Sequence, residues 1–245
     1  MTSDEIKNGT CLIIPTYNNE KTVQQVVEEV KQYHLHVILV NDGSTDRTHQ
    51  LIKEMEVEWI EYPHNKGKGY ALKQGFKRAV ALGYRYAITI DSDGQHYASD
   101  IPKFLDAVAQ HPDNLIVGSR FLNTENMPSA NSFANRFSNF WFQLQTRIPL
   151  PDTQSGYRLY PLHKIKNIHF FSNRYEAELE MLVRSAWRFI PIMAIPINVY
   201  YPPQEERVTH FRPFFDFFRI SVLNTIFTIF ALIYFYPKKF LFYRR

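Results

Sequence analysis

A doubly wound α/β fold, an open and mostly parallel sheet with helices on both faces, is what this 245-residue chain predicts. Three observations carry that expectation. Short β-branched runs alternate with stretches of helical periodicity through the first half. Polar residues collect just beyond the ends of those runs, where an open sheet of this kind places its ligand. The composition, 45% hydrophobic and 21% charged, is that of a folded chain and excludes a mainly disordered one.

Taken in order, the apolar runs at 11–14, 37–40, 57–60, 87–90 and 115–117 read as buried parallel strands. The segments 20–33, 46–55, 69–82 and 99–111 between them read as right-handed crossover helices. In the first of these, Val23, Val26, Val27 and Val30 recur at the three- and four-residue spacing of one buried face. The pattern then gives a helix over 132–146, a polar turn over 152–158, a helix over 176–189 and a last strand at 195–200. Pro202-Pro203 breaks the chain, which divides into a globular domain over 1–206 and a helical tail over 207–245.

The tail is a different material. From Arg207 onward seven basic residues face one acid, Asp216, and 14 of the 38 aromatic residues lie in the last 45 positions. Basic and aromatic character at one end points to a membrane surface and not to nucleic acid, which calls for basic residues spread over a folded face. Residues 220–236 carry no formal charge and stand at the lower length limit for a spanning helix. A single span would put Lys238, Lys239, Arg244 and Arg245 across the bilayer from a cytoplasmic domain, against the positive-inside tendency. An interfacial or re-entrant helix pair is therefore expected, with a cover for the core or a dimer interface as the alternative. The single Cys11, the lack of a zinc-spaced Cys/His cluster and an N-terminus without an apolar run fit a reducing, cytoplasmic compartment.

The sharpest chemical feature is Asp91-Ser-Asp93-Gly-Gln95-His96, just past a strand. Two carboxylates at i and i+2 in a tight turn can face one divalent cation, and a carboxamide oxygen at i+4 adds a neutral donor; hard oxygens select Mg²⁺ or Mn²⁺. The bland alternative is a turn whose aspartates cap the helix near Ser99. Asp42 closes the second strand and aims at the same crevice, in a position that suits a ribose or base edge. The segment His64-Asn-Lys-Gly-Lys68-Gly opens a helix, so its N–H groups and lysines suit a diphosphate. Arg120, Arg136 and Arg158 are each unremarkable as surface residues, but together they would grip an anion opposite the metal. Of the nine histidines only His96 stands near this chemistry.

Six segments resemble, in order, the motifs of family 2 glycosyltransferases with the GT-A fold, a Rossmann-like α/β sheet: Ile14-Pro-Thr-Tyr-Asn-Asn-Glu20, Val40-Asn-Asp-Gly-Ser-Thr-Asp46, Asn65-Lys-Gly-Lys-Gly-Tyr-Ala71, Asp91-Ser-Asp93, Gly118-Ser-Arg120 and the stretch 152–160. Within that family the chain most resembles the dolichyl-phosphate mannosyltransferase-like branch. It departs from many relatives by the extra Asn in Tyr-Asn-Asn-Glu. The resemblance implies an inverting transfer from a UDP- or GDP-sugar, with Pro15, Tyr17, Glu20 and Asp42 on base and ribose and Lys68 nearby. It implies Mg²⁺ or Mn²⁺ on Asp91, Asp93 and Gln95, an acceptor phosphate on Arg120 and Arg136, and Arg207 on the diphosphate. A polyprenyl phosphate acceptor at the cytoplasmic membrane face would need positioning more than a base. A sugar or aryl hydroxyl acceptor would need one, and Asp152 is then the candidate. Nucleotidyl transfer and a non-catalytic nucleotide-binding module are the rival classes, and the oligomeric state is left open.

Overall fold

The computed structural model describes residues 2–120, 129–201 and 213–243. Its strands are β1 (Thr10–Thr16), β2 (His36–Asn41), β3 (Glu58–Glu61), β4 (Tyr86–Thr89), β5 (Leu115–Arg120), β6 (Arg158–Pro161) and β7 (Ile192–Ile197). They form one sheet in the order β3-β2-β1-β4-β6-β5-β7. Every pairing is parallel except those of β6, which runs against β4 and β5. The helices before β6 are α1 (Ser3–Asn8), α2 (Val23–Lys31), α3 (Thr48–Glu54), α4 (Lys68–Ala81), α5 (Ile101–Gln110) and α6 (Ser129–Thr146). Those after it are α7 (Leu162–Ile165), α8 (Glu176–Trp187), α9 (Pro213–Phe230) and α10 (Tyr236–Tyr243).

Successive residues of a strand point to opposite faces, and here both faces are covered. Leu12 and Ile14 of β1 pack with Val23, Val27, Ile101 and Phe104 on one side. Cys11 and Ile13 pack with Ala71, Phe76, Met181 and Phe227 on the other. This is why the strands read as continuous apolar runs rather than alternating ones. Gly75 lets α4 lie close on β1, since a Cβ there would sit 2.5 Å from Ile13 Cγ2.

Three elements differ from the sequence reading. α1 was not expected; Thr2 and Glu5 form a capping box that starts it, and it buries Ile6. β6 is a strand that the sequence reading lacks, and it begins at Arg158, the last residue of the expected turn. The last strand lies three residues earlier than expected because its register against β5 runs from Leu115↔Ile192 to Arg120↔Ile197. Beyond it, Asn198 N–H donates to Asp100 Oδ2 at 2.7 Å and Val199 bridges only to His96.

The tail is one continuous helical rod through α9, a π-helical turn at Ala231–Phe235 and α10. Pro237, which lacks an N–H, follows that turn, and a proline inside a helix removes a backbone bond and disturbs the turn before it. Its inner side is stapled to the domain. Gln145 Nε2 donates to Asn224 O at 3.1 Å, Arg219 Nε to Glu176 Oε1 at 3.1 Å, and the Tyr236 hydroxyl to Leu144 O. Trp187 meets Phe227 edge to face at 5.4 Å and stacks on Phe235 at 6.1 Å. The break expected at Pro202-Pro203 lies outside the described residues.

Candidate active site

Strand order reverses between β1 and β4, and the polar loops gather at that edge. Because β6 runs backwards, its first residue, Arg158, pairs with Thr89 at the same edge and brings the preceding 152–157 turn with it. Thr89 Oγ1 fixes that turn by donating to Gly156 O at 2.7 Å.

Asp91 and Asp93 follow β4, and the residue between them anchors the turn. Ser92 is buried and donates to Pro15 O at 3.1 Å, while its own carbonyl accepts from Thr22 Oγ1 at 2.6 Å. Asp93 Oδ1 accepts from Gln95 N–H at 3.0 Å, and Gly94 takes a φ of 75°, which glycine adopts without strain. Lys68 Nζ lies 2.7 Å from Asp91 Oδ1 and 2.9 Å from Oδ2, and 3.1 Å from Glu178 Oε2 on α8. Gly156 closes over the three groups: a Cβ there would come within 2.7 Å of Asp91 Oδ2 and Lys68 Nζ and 3.0 Å of Glu178 Oε1.

Electrostatics separates the two aspartates. Burial pushes both carboxyls up, but the Lys68 ammonium overcomes it at Asp91 and holds that group below its ordinary range. Asp93 has no such partner; burial and the Asp91 charge push it up to about 6. His96, with its Nδ1 buried and unbonded and its ring 5.2 Å from Tyr157, is pushed down to about 4 by burial and is neutral at neutral pH. Three carboxylates, Asp91, Asp93 and Glu178, share the one Lys68 ammonium, and the half-buried Asp91–Asp93 pair is a hard-oxygen donor set that fits a divalent cation. Among the described residues no three His, Cys, Asp or Glu side chains cluster to hold a metal unaided, so Gln95, water or a bound phosphate would supply the remaining oxygens.

The loops after β1 and β2 are stitched to each other. Asn18, at φ 50°, donates its N–H to Ser44 Oγ at 2.9 Å and accepts from Thr45 N–H at 2.8 Å. Asn19, the extra residue of the motif, reaches Ser92 Oγ at 2.6 Å. Glu20 Oε2 accepts from Arg47 N–H at 3.0 Å. Asp42 is buried and accepts from Asn65 Nδ2, Lys66 N–H and Gly67 N–H at 2.8–2.9 Å, so its carboxylate folds the 65–67 loop over the crevice. Pro15 and Tyr17 stand at the end of β1, buried and half-buried.

The arginines part company. Arg120 pairs with Asp152 through Nε at 2.7 Å and Nη2 at 2.9 Å, and it lines a cavity of about 470 Å³ with Tyr97, Ser99, Ile197, Asn198, Val199 and Tyr201. Arg136 is exposed on α6. Arg158 corrects the expectation of an anion grip. It is fully buried, and its guanidinium donates to Ser155 O at 2.7 Å, Glu178 O at 2.7 Å, Thr153 O at 2.9 Å and Tyr160 Oη at 3.2 Å. Its work is to brace the turn against α8. Asp152, also without exposed surface, accepts from Gln154 and Ser155 N–H as well as from Arg120, which departs from the freely acting base a hydroxyl acceptor would need. Arg207 lies outside the described residues. Glu178 was not read from the sequence; its signal is the row Glu176, Glu178, Glu180 in a helix buried on almost every side.

A family model described as glycosyl transferase family 2 matches residues 11–168, more than half of the chain. The sequence is 32% identical over 213 residues to a UDP-N-acetylglucosamine–dolichyl-phosphate N-acetylglucosaminyltransferase of Methanococcus voltae, covering 78% of this chain and 85% of that protein. It is 27% identical over 203 residues to the polyprenol monophosphomannose synthase of Mycolicibacterium smegmatis, covering 77% and 76%. Among solved structures, mannosyl-3-phosphoglycerate synthase from Rubrobacter xylanophilus matches with a TM-score of 0.67 at 15% identity, over 97% of this chain and 75% of that one. Glucosyl-3-phosphoglycerate synthase from Mycobacterium tuberculosis matches with a TM-score of 0.66 at 17% identity, over 94% and 84%. Structures this distant speak for the fold alone. On the family match and the first of these relatives, the chain belongs to glycosyl transferase family 2 and is a glycosyltransferase with the GT-A fold.

Proposed function

We propose that this enzyme transfers a sugar, with inversion, from a UDP- or GDP-sugar to a polyprenyl phosphate at the cytoplasmic face of a membrane. The observation that carries the reading is the half-buried Asp91–Asp93 turn, whose Asp91 charge acts on Arg120, the arginine that lines the neighbouring cavity. The two relatives named above, which bear lipid-phosphate acceptors in their names, support the choice of acceptor.

In this reading Asp91, Asp93 and Gln95 hold Mg²⁺ or Mn²⁺, which when bound neutralises the charge that builds up on the departing nucleoside diphosphate. Pro15, Tyr17, Glu20 and Asp42 form the base and ribose side, and Asp42 does so through the loop it holds shut. Arg120, Arg136 and Arg207 receive the acceptor phosphate and the diphosphate. A phosphate oxygen is already anionic near neutral pH, so no side chain has to take its proton. Asp152 then serves by orienting Arg120, a role that its bidentate pair fits better than that of base.

The tail supports the membrane setting. The helix Phe215–Leu241, 27 residues, is long and apolar enough to cross a bilayer. Yet its staples at Arg219, Asn224 and Tyr236 are spread along its length, and a rod fastened so to the domain lies along the interface. Phe218, Ile229 and Ile233 on the outer side, each more than half exposed, would enter the headgroup layer, with Lys238 and Lys239 on anionic lipid.

The test is release of nucleoside diphosphate by the full chain in detergent, with a panel of UDP- and GDP-sugars, Mn²⁺ or EDTA, and polyprenyl phosphate present or absent. Release is expected to need both metal and lipid phosphate, and Asp93→Asn to lower it by about a hundredfold or more. Metal-dependent release indifferent to lipid phosphate would move the acceptor to a hydroxyl and overturn the proposal.

A further inference from the structure

Lys68 is placed where a cation belongs. Its ammonium sits astride both oxygens of Asp91, at 2.7 and 2.9 Å, and so takes the bidentate edge that an incoming ion would use. A second carboxylate, Glu178 Oε2, stands 3.1 Å away on the other side. Side chains of Lys68 and Glu178 are 17% and 11% exposed, so neither charge is screened by bulk water as a surface pair would be. The mooring is rigid: Glu178 O is held by the buried Arg158 at 2.7 Å, and Gly156 leaves no spare space above the cluster. A short swing of Nζ from Asp91 toward Glu178 therefore frees Asp91 without leaving the ammonium unpaired, which a lysine with one partner could not do.

We propose that Lys68 is an internal cation that competes with the divalent metal for Asp91, and that Glu178 is the positioning residue that takes Lys68 over when the metal binds. This rests on the reading of Asp91 and Asp93 as metal ligands. Lys68, moored to Glu178 at the first turn of α4, then faces the diphosphate as the metal arrives with it. Metal and donor binding are thereby linked through one side chain, and a free metal ion binds weakly until the donor gives Lys68 something to hold.

The experiment titrates Mn²⁺ into the purified, donor-free full chain by electron paramagnetic resonance or calorimetry. Lys68→Met removes the competitor, so Mn²⁺ is expected to bind about tenfold more tightly, while UDP or GDP in the presence of Mn²⁺ binds more weakly. Glu178→Gln removes the second mooring and leaves Lys68 on Asp91, so Mn²⁺ is expected to bind about tenfold more weakly, with Glu178→Asp recovering part of the loss. Opposite signs exclude damage to the fold, which would shift both variants the same way. Because Glu178 acts through Lys68, Glu178→Gln made in the Lys68→Met chain is expected to weaken Mn²⁺ no further; an equal loss in that background marks a plain charge effect and overturns the exchange. Shifts in one direction, or none, overturn the exchange. If Glu178→Gln does not fold, Lys68→Met decides alone: tighter Mn²⁺ supports the exchange and equal or weaker Mn²⁺ overturns it. Wild-type protein that binds no Mn²⁺ even with UDP or GDP present, or Asp91→Asn that binds it unchanged, would overturn the metal site itself, a failure distinct from the other.

Discussion

Arg158 shows how a charged side chain earns its place without meeting a ligand. Four hydrogen bonds to three carbonyls and a tyrosine hydroxyl leave it no exposed surface. Arg158→Met would strand those carbonyls in a dry interior, and the expected cost is about 3–5 kcal/mol, read as a lower midpoint of thermal unfolding. A substrate-binding arginine would instead leave the midpoint alone and raise KM, so the two measurements separate the roles. From the sequence the residue could be seen but not its direction, because a turn that ends in arginine looks the same whether the guanidinium points out or in. Asp91, Asp93 and Lys68 were legible because a strand end followed by short polar residues fixes where they stand. Glu178 was not, since its partners Lys68 and Arg158 lie on α4 and β6, and nothing local in an acidic helix reveals them.

At the scale of elements, the parallel strands announced themselves through apolar runs buried on both faces, while β6 did not. Arg158-Leu-Tyr-Pro161 is short and opens on a charge, and only its pairing with β4 and β5 makes it a strand. α1 had a signal, the capping box from Thr2 to Glu5. The edge strand β3 is fastened by Glu58, which takes hydrogen bonds from Arg78 on α4 and, at 2.8 Å, from His36 on β2. Burial pushes the Glu58 carboxyl up, and the hydrogen bonds from Arg78 and His36 outweigh it and hold the group below its ordinary 4.5. A carboxyl held low stabilises the fold above its unfolded value and stops doing so as pH falls through the folded one. Glu58→Gln is therefore expected to cost about 0.5–1 kcal/mol at pH 7 and progressively less as acid protonates the carboxyl, checked by denaturant unfolding at pH 7 and at stepwise lower pH.

For the whole molecule, the proposed seat of the tail on a membrane is tested on its outer side. The triple change Phe218→Ser, Ile229→Ser and Ile233→Ser touches the outer side only, and it is expected to weaken binding to anionic vesicles by about a hundredfold while leaving the unfolding midpoint in place. An alkaline wash should strip the wild-type chain from such vesicles; retention would mean that the helix spans. The antiparallel strand bears on assembly too. β4 and β5 are consecutive in the chain, yet they meet only through β6, which is synthesised after both. The first four strands can pair as soon as the chain reaches Thr89, whereas β5 waits for β6 and β7 to give it neighbours. A nascent chain that has folded its first half thus carries Asp42 and Lys68 but neither Gly156 nor Glu178. Insertion of β6 joins the halves and seats the turn that carries Gly156, and α8 then brings Glu178 to Lys68 before β7 finishes the sheet.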